Sequence, residues 1–139
     1  IWLPSALESQ LQQDSGISHS DYQVLSWLSM APDRTSRMSA VAEVANVTLS
    51  HLSRVVARLE GRGWVRREPD PQDGRITLAI LTEAGWQKVV AAAPGHAEAV
   101  MRKVFDQLTP TQVGQLKEIA GRIAMALRPD CSGARLPRP

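Results

Sequence analysis

Cysteine, tyrosine and phenylalanine each occur once in the 139 residues, and aromatics make up only 4% of the chain. With Cys131 alone no intramolecular disulfide can form. That cysteine lies in the tail CSGARLPRP, rich in Pro, Gly and Arg, a setting that argues against a sensing role. Few aromatics and 43% hydrophobic residues mean a core of Leu, Val, Ala and Ile, which suits helices. No apolar run approaches the length of a membrane span and no secretory signal opens the chain, so a cytoplasmic protein is expected. His19, His51 and His96 stand far apart, without the Cys or carboxylate spacing of a zinc site. No Gly-rich phosphate loop, nucleophile elbow or HExxH pair occurs. These absences point away from an enzyme and from a metal or organic cofactor.

What is present is concentrated between Val47 and Arg75, VTLSHLSRVVARLEGRGWVRREPDPQDGR. Thr48 is a fitting N-cap, and Leu52, Val55, Val56 and Leu59 fall at i, i+3, i+4 and i+7, one stripe of a helical period. Ser50, His51, Ser53, Arg54 and Arg58 are left on the other side, and all can donate to phosphate oxygens or base edges. Gly61 and Gly63 flank Arg62 and predict the end of the helix. A strand WVRRE follows from Trp64, with Arg66 and Arg67 pointing to opposite faces. Pro69, Pro71 and Gly74 then break regular structure, and Arg75 to Leu81, RITLAIL, reads as the return strand of a hairpin. From Val47 to Arg67 five arginines face one glutamate, a local charge of +4 in a chain whose net charge is +2. That excess is the footprint of a phosphate-binding surface.

The remaining chain supplies helices. Leu3, Leu7 and Leu11 repeat at four-residue spacing through Ile1 to Asp14, with Pro4 compatible with a first turn. A start at Ile1 without methionine leads to the expectation that further residues precede it. Ser18 and Asp21 form a capping box for a second helix carrying Tyr22, Val24, Leu25, Trp27 and Leu28 and ending near Met30. Arg34 to Arg37 reads as a polar loop, and Ser39 as the cap of a short helix Ala40 to Ala45. A short turn at Asn46-Val47 between that helix and the next is helix-turn-helix geometry. Thr82 caps a long helix that Pro94-Gly95 should kink or interrupt, the helix resuming from His96 to Gln107. Thr109-Pro110-Thr111-Gln112 is a full start signal for a last helix. Its stripe of Val113, Leu116, Ala120, Ile123 and Leu127 suits closure of the core or pairing across a dimer axis, and the scarcity of other partners for the terminal helices favours a dimer.

The run from Met38 to Gly85 resembles the winged helix-turn-helix of the MarR (multiple antibiotic resistance regulator) family. The resemblance rests on the block LSRVVARLEGRGWVRR, the Asp73-Gly74-Arg75 form of the Asp-x-Arg wing motif, and LTEAG after the second wing strand. Gly74 stands where many members carry a second arginine, and Trp64 where a smaller aliphatic is usual. With the flanking helices the likeness covers most of the chain. It implies a mostly α fold with a small β-hairpin wing: a winged helix-turn-helix at 18–95 with the start of a linking helix, a helical dimerisation region at 1–17 and 96–128, and a flexible tail at 129–139.

The function so implied is a homodimeric, sequence-specific DNA-binding transcriptional regulator, a repressor by preference, reading a pseudo-palindromic operator in double-stranded DNA. Ser50, His51, Ser53 and Arg54 are the candidates for base edges and nearby phosphates, with Ser39 also at the interface and Thr48 and Arg58 holding the DNA backbone. Arg75 is the candidate for the minor groove. Asp73 would orient or neutralise that arginine rather than touch DNA. Tyr22 and Trp27 fit either core packing, the ordinary fate of aromatics at helical spacing, or the lining of a pocket for an aromatic effector. The alternative from another class is a winged-helix module that docks an acidic protein on the same face.

Overall fold

The helix at the centre of the molecule forms because its ends are chemically defined. In the computed structural model, which describes residues 2–127, it spans Leu49–Gly61 (α4) and is capped by the Thr48 hydroxyl, which accepts from the His51 amide at 3.2 Å. At the other end Gly63 adopts φ +71°, its amide donates to the Glu60 carbonyl and the Trp64 amide to the Leu59 carbonyl, the two bonds of a Schellman stop. The preceding helix, Met38–Val44 (α3), stops by the same device, with Asn46 at φ +53° and the Val47 amide on the Ala42 carbonyl. The stop at Asn46 and the cap at Thr48, one on each side of a short turn, set the helix-turn-helix.

The other elements are α1 (Trp2–Ser15), α2 (His19–Met30), a 3-10 turn at Pro32–Arg34, β1 (Thr35–Arg37), β2 (Val65–Pro69), β3 (Thr77–Leu81), α5 (Glu83–Lys103), a second 3-10 turn at Phe105–Gln107 and α6 (Pro110–Leu127). They fall into two compact units, Ile1–Ala99 and Val100–Pro139. Cys131 and the expected tail at 129–139 lie outside the described residues, as does Ile1.

In the first unit, Val24, Leu25 and Leu28 of α2, Met38, Val41 and Ala42 of α3, and Leu52, Val55, Val56 and Leu59 of α4 bury against Val65, Ala79, Leu81 and Val89. A second cluster joins Leu11 of α1, Ile17 and Ala92 of α5, with Tyr22 and Trp64 against it. The capping box of α2 is present as the sequence predicts: the Ser18 hydroxyl accepts from the Asp21 amide and the Asp21 carboxylate from the Ser18 amide. In the second unit Thr109 and Gln112 close the matching box at the start of α6.

Four sequence expectations need correction. Arg34 to Arg37 is not a loop. Asp33 and Arg34 take positive φ and turn the chain so that Thr35–Arg37 pairs antiparallel with β3, making a three-stranded sheet in the order β1-β3-β2. This strand is made by backbone pairing on an available edge and carries little side-chain signature. Ser39 is not a cap, because β1 runs directly into α3 at Arg37 and the helix begins earlier than its first polar residue. The return strand starts at Thr77, Arg75 being held in the turn, while Pro69 closes β2 opposite Thr77 on a sheet edge where a missing amide is tolerated. Finally, α5 passes through Pro94 without interruption and ends at Lys103. Ala92 and Ala99 on either side of the proline are buried.

The LTEAG segment acquires a physical reason. Thr82 caps α5 by accepting from the Gly85 amide at 3.1 Å, donates to the Gly63 carbonyl at 2.7 Å, and its amide meets the Trp64 carbonyl at 3.0 Å. A Cβ on Gly85 would collide with that Trp64 carbonyl oxygen and lie 2.7 Å from Leu81 Cδ1. Gly85→Ala is therefore expected to destabilise the chain by about 1–3 kcal/mol or more in urea denaturation; unchanged stability would show that the helix and the wing base are not packed this closely.

Candidate nucleic-acid interface

The outer face of α4 is fixed by what its inner face buries. With Leu52, Val55, Val56 and Leu59 in the core, Ser50, His51 and Arg54 are exposed and Ser53 is half-buried. Beside them β2 brings Arg67. Together Leu49, Ser50, Ser53, Arg54, Ala57 and Arg67 line a cleft of about 600 Å³ between helix and wing strand. Arg67 is not among the site residues expected from the sequence, which puts Arg66 and Arg67 on opposite faces without deciding which one meets the helix. The alternation of Arg66 and Arg67 was the available signal, since one of two adjacent strand residues must face the helix.

The arginines divide into two groups. Arg58 donates through Nε and Nη2 to Asp21 Oδ1 at 3.0 and 2.6 Å, and Asp21 is buried. Arg67 is clasped by Glu60, its Nε and Nη2 at 2.8 and 2.6 Å from Oε2 and its amide 2.9 Å from Oε1, while its Nη1 stands 3.5 Å from the Ser53 hydroxyl. Arg66 pairs with Glu68, and Arg62 donates to the Gly16 carbonyl and lies over the Trp64 ring. Arg54 and Arg75 are different. Among the described residues their guanidinium groups make no hydrogen bond, ion pair or ring contact. Arg58, expected mainly to hold a DNA backbone, thus also joins α4 to α2 through Nε and Nη2.

The other expected site residues fall in definite places. The Thr48 hydroxyl is occupied as a cap, and Ser39 is exposed in the first turn of α3. Asp73 does orient the wing, but through the backbone: its carboxylate accepts from the Arg75 amide at 3.1 Å and its carbonyl from the Ile76 amide at 2.9 Å. This turn leaves the Arg75 side chain free. Tyr22 and Trp27 are both half-buried on α2. The Tyr22 ring is 4.6 Å from that of His96, and burial pushes its hydroxyl pKa up. His96 in turn shares a 3.0 Å hydrogen bond with Gln10 of α1, and burial, followed by the charge of His19, holds its pKa below the ordinary imidazole value. Among the described residues no group of three or more His, Cys, Asp or Glu could hold a metal ion, and no helix is long and apolar enough to cross a membrane.

This geometry has relatives. Residues 15–76 match the model of the MarR family. Sco3205 of Streptomyces coelicolor, a MarR family transcriptional regulator whose crystal structure is in complex with DNA, is 47% identical with a TM-score of 0.88, over 97% of this chain and 85% of that one. AbsC, a MarR family transcriptional regulator from the same organism, is 34% identical with a TM-score of 0.86, over 92% of this chain and 86% of its own. The HTH-type transcriptional repressor IacR of Pseudomonas putida is 32% identical over 84 residues, 60% of this chain and 50% of that protein. The chain spans about half the length of the curated relatives it matches.

Two outcomes follow from the division of charges. Arg58→Ala, which strips a buried carboxylate of its partner, should lower unfolding free energy by about 1–3 kcal/mol, whereas Arg54→Ala should stay within about 0.5 kcal/mol of the parent. Equal effects in urea denaturation would contradict the division. For His96, an imidazole that resists protonation when folded, the unfolded chain binds more protons below about pH 6.5. Stability should therefore fall as the solution is acidified through that range, and His96→Gln should flatten this part of the curve; an unaltered pH profile of thermal unfolding would remove His96 from the account.

Proposed function

This chain belongs to the MarR family of transcriptional regulators, and on that premise we propose that it binds double-stranded DNA as a homodimer and acts as a repressor in the cytoplasm. The observation that carries the reading is that Arg54 on the outer face of α4 and Arg75 in the turn of the wing have no guanidinium partner among the described residues. A guanidinium that satisfies no group of its own protein is available to a polyanion. DNA in the crystal structure of Sco3205, at 47% identity, supports the same reading.

In this mechanism α4 enters a major groove. Ser50, His51, Ser53 and Arg54 reach base edges and flanking phosphates, and Arg67 works from the wing side of the cleft. Arg75 follows the adjacent minor groove, where narrow A·T-rich segments attract guanidinium. Ser39 and Thr48 lie at the rim, and Asp73 shapes the turn. Two copies would read half-sites about one helical turn apart. The dimer is supported by the apolar side chains left exposed on α6, where Leu116, Ile119 and Ile123 are 42, 56 and 55% accessible and none of the helix is buried. The terminal segments 1–17 and 96–128 are the proposed dimerisation region.

Release by a small aromatic ligand is the finer part of the proposal. It requires a ligand with unequal affinity for DNA-competent and incompetent arrangements. Tyr22 and Trp27, half-buried on α2, are the residues proposed to meet it.

In a mobility-shift titration at fixed salt, on a duplex selected from a random pool, Arg54→Ala and Arg75→Ala should each weaken binding by about tenfold or more. Arg54→Ala should also blur sequence preference. Two variants that bind as tightly and as selectively as the parent would overturn the assignment, and no duplex binding even at low salt would favour an acidic protein as the partner instead.

A further inference from the structure

Leu49 is out of place by the rule that governs the rest of α4. It lies three residues before Leu52, the spacing of the core stripe, yet it is 53% exposed while Leu52, Val55, Val56 and Leu59 are at most 3% exposed. As the first residue of the helix it lies beyond the edge of the core. It lines the same cleft as Ser50, Ser53, Arg54 and Arg67. Single exposed leucines are common on protein surfaces. This one stands among hydrogen-bond donors, in the first turn of the helix proposed to enter the groove.

The chemistry of the groove narrows what an isobutyl group can do there. The leading residues of a recognition helix are those that reach base edges. In the major groove those edges present hydrogen-bonding groups and one apolar group, the C5 methyl of thymine. The unpaired Arg54 and the serine hydroxyls beside Leu49 favour a nucleic acid over an apolar protein surface as the occupant of this cleft. We propose that Leu49 is a specificity-determining residue that packs on a thymine methyl group at one position in each half-site. The inference rests on the DNA-binding reading above and adds to it a preference for thymine that no hydrogen bond supplies. It assigns different work to neighbouring side chains: Arg54 and the serines read polar groups, and Leu49 reads shape and methylation of the pyrimidine.

The test replaces thymine by deoxyuridine, which removes the methyl group and leaves the base-pairing groups and polar groove edge unchanged. Duplexes selected from a random pool by the full chain are scanned one thymine at a time by fluorescence anisotropy at fixed salt. Burial of one methyl group corresponds to about a fourfold change in affinity. The wild-type protein should lose about that factor at one thymine per half-site, and Leu49→Ala should bind the two duplexes equally at that position while keeping its response elsewhere. A flat scan with the wild-type protein overturns the inference while leaving operator binding intact, and needs no variant to fold. A Leu49→Ala protein that still discriminates thymine from deoxyuridine at the same position also overturns it, since another side chain then reads the methyl group. Failure to select any duplex overturns the DNA-binding reading and this inference with it.

Discussion

The buried carboxylate of Asp21 is the constraint on which the arrangement of the first unit depends. One of its oxygens accepts the Ser18 amide and so starts α2; the other takes both nitrogens of the Arg58 fork from α4. A single side chain thus fixes a helix start and joins it to another helix 37 residues away. A carboxylate withdrawn from water must be compensated in this way or it destabilises the fold. With Arg58 tied to α2 and Leu52, Val55, Val56 and Leu59 buried, the rotation of α4 about its axis is set, and with it the residues that face out. Glu60 repeats the device two residues later, holding Arg67 of β2 through its side chain and its backbone amide. Acids thereby sort the arginines of this segment into those that build the fold and those that remain available.

The wing is tied down at its base as well. Trp64 offers its carbonyl to Thr82, receives Gly85 at close approach, and presents its ring to Arg62 and Lys88. Arg34 over Trp86, paired with Glu83, makes a similar connection from the turn before β1 to the start of α5. These contacts make the hairpin an extension of the helical core and leave its tip, with Arg75, as the part that projects.

Much of this was legible in the chain. The amphipathic stripe of α4, the Thr48 and Ser18 caps, the glycine stop at Gly63 and the start signal at Thr109 are local rules, and each was met by the expected hydrogen bonds. What escaped was decided by partners distant in sequence. β1 exists because β3 offers an edge, and nothing in Thr-Ser-Arg announces it. α5 continues through Pro94 between two buried alanines, a tertiary setting that a local breaker rule does not register. The local charge of +4 counted guanidinium groups without knowing that Asp21 and Glu68, outside the helix or beyond the counted stretch, would claim Arg58 and Arg66. Leu49 has the spacing of the core stripe and is exposed all the same, because periodicity does not reveal where a core ends. Strand alternation separates Arg66 from Arg67, but only the packing of β2 beside α4 decides that Arg67 is the one that walls the cleft.

The central claim is that the outward face of α4 and the tip of the wing form one DNA-binding surface, presented twice by a dimer. Hydroxyl-radical footprinting of the wild-type protein on a selected duplex tests it most directly. The account predicts two protected patches related by a dyad on one face of the helix, about one turn apart, each extending into the neighbouring minor groove where the wing lies. A single patch without a dyad, or protection confined to one groove, would contradict it.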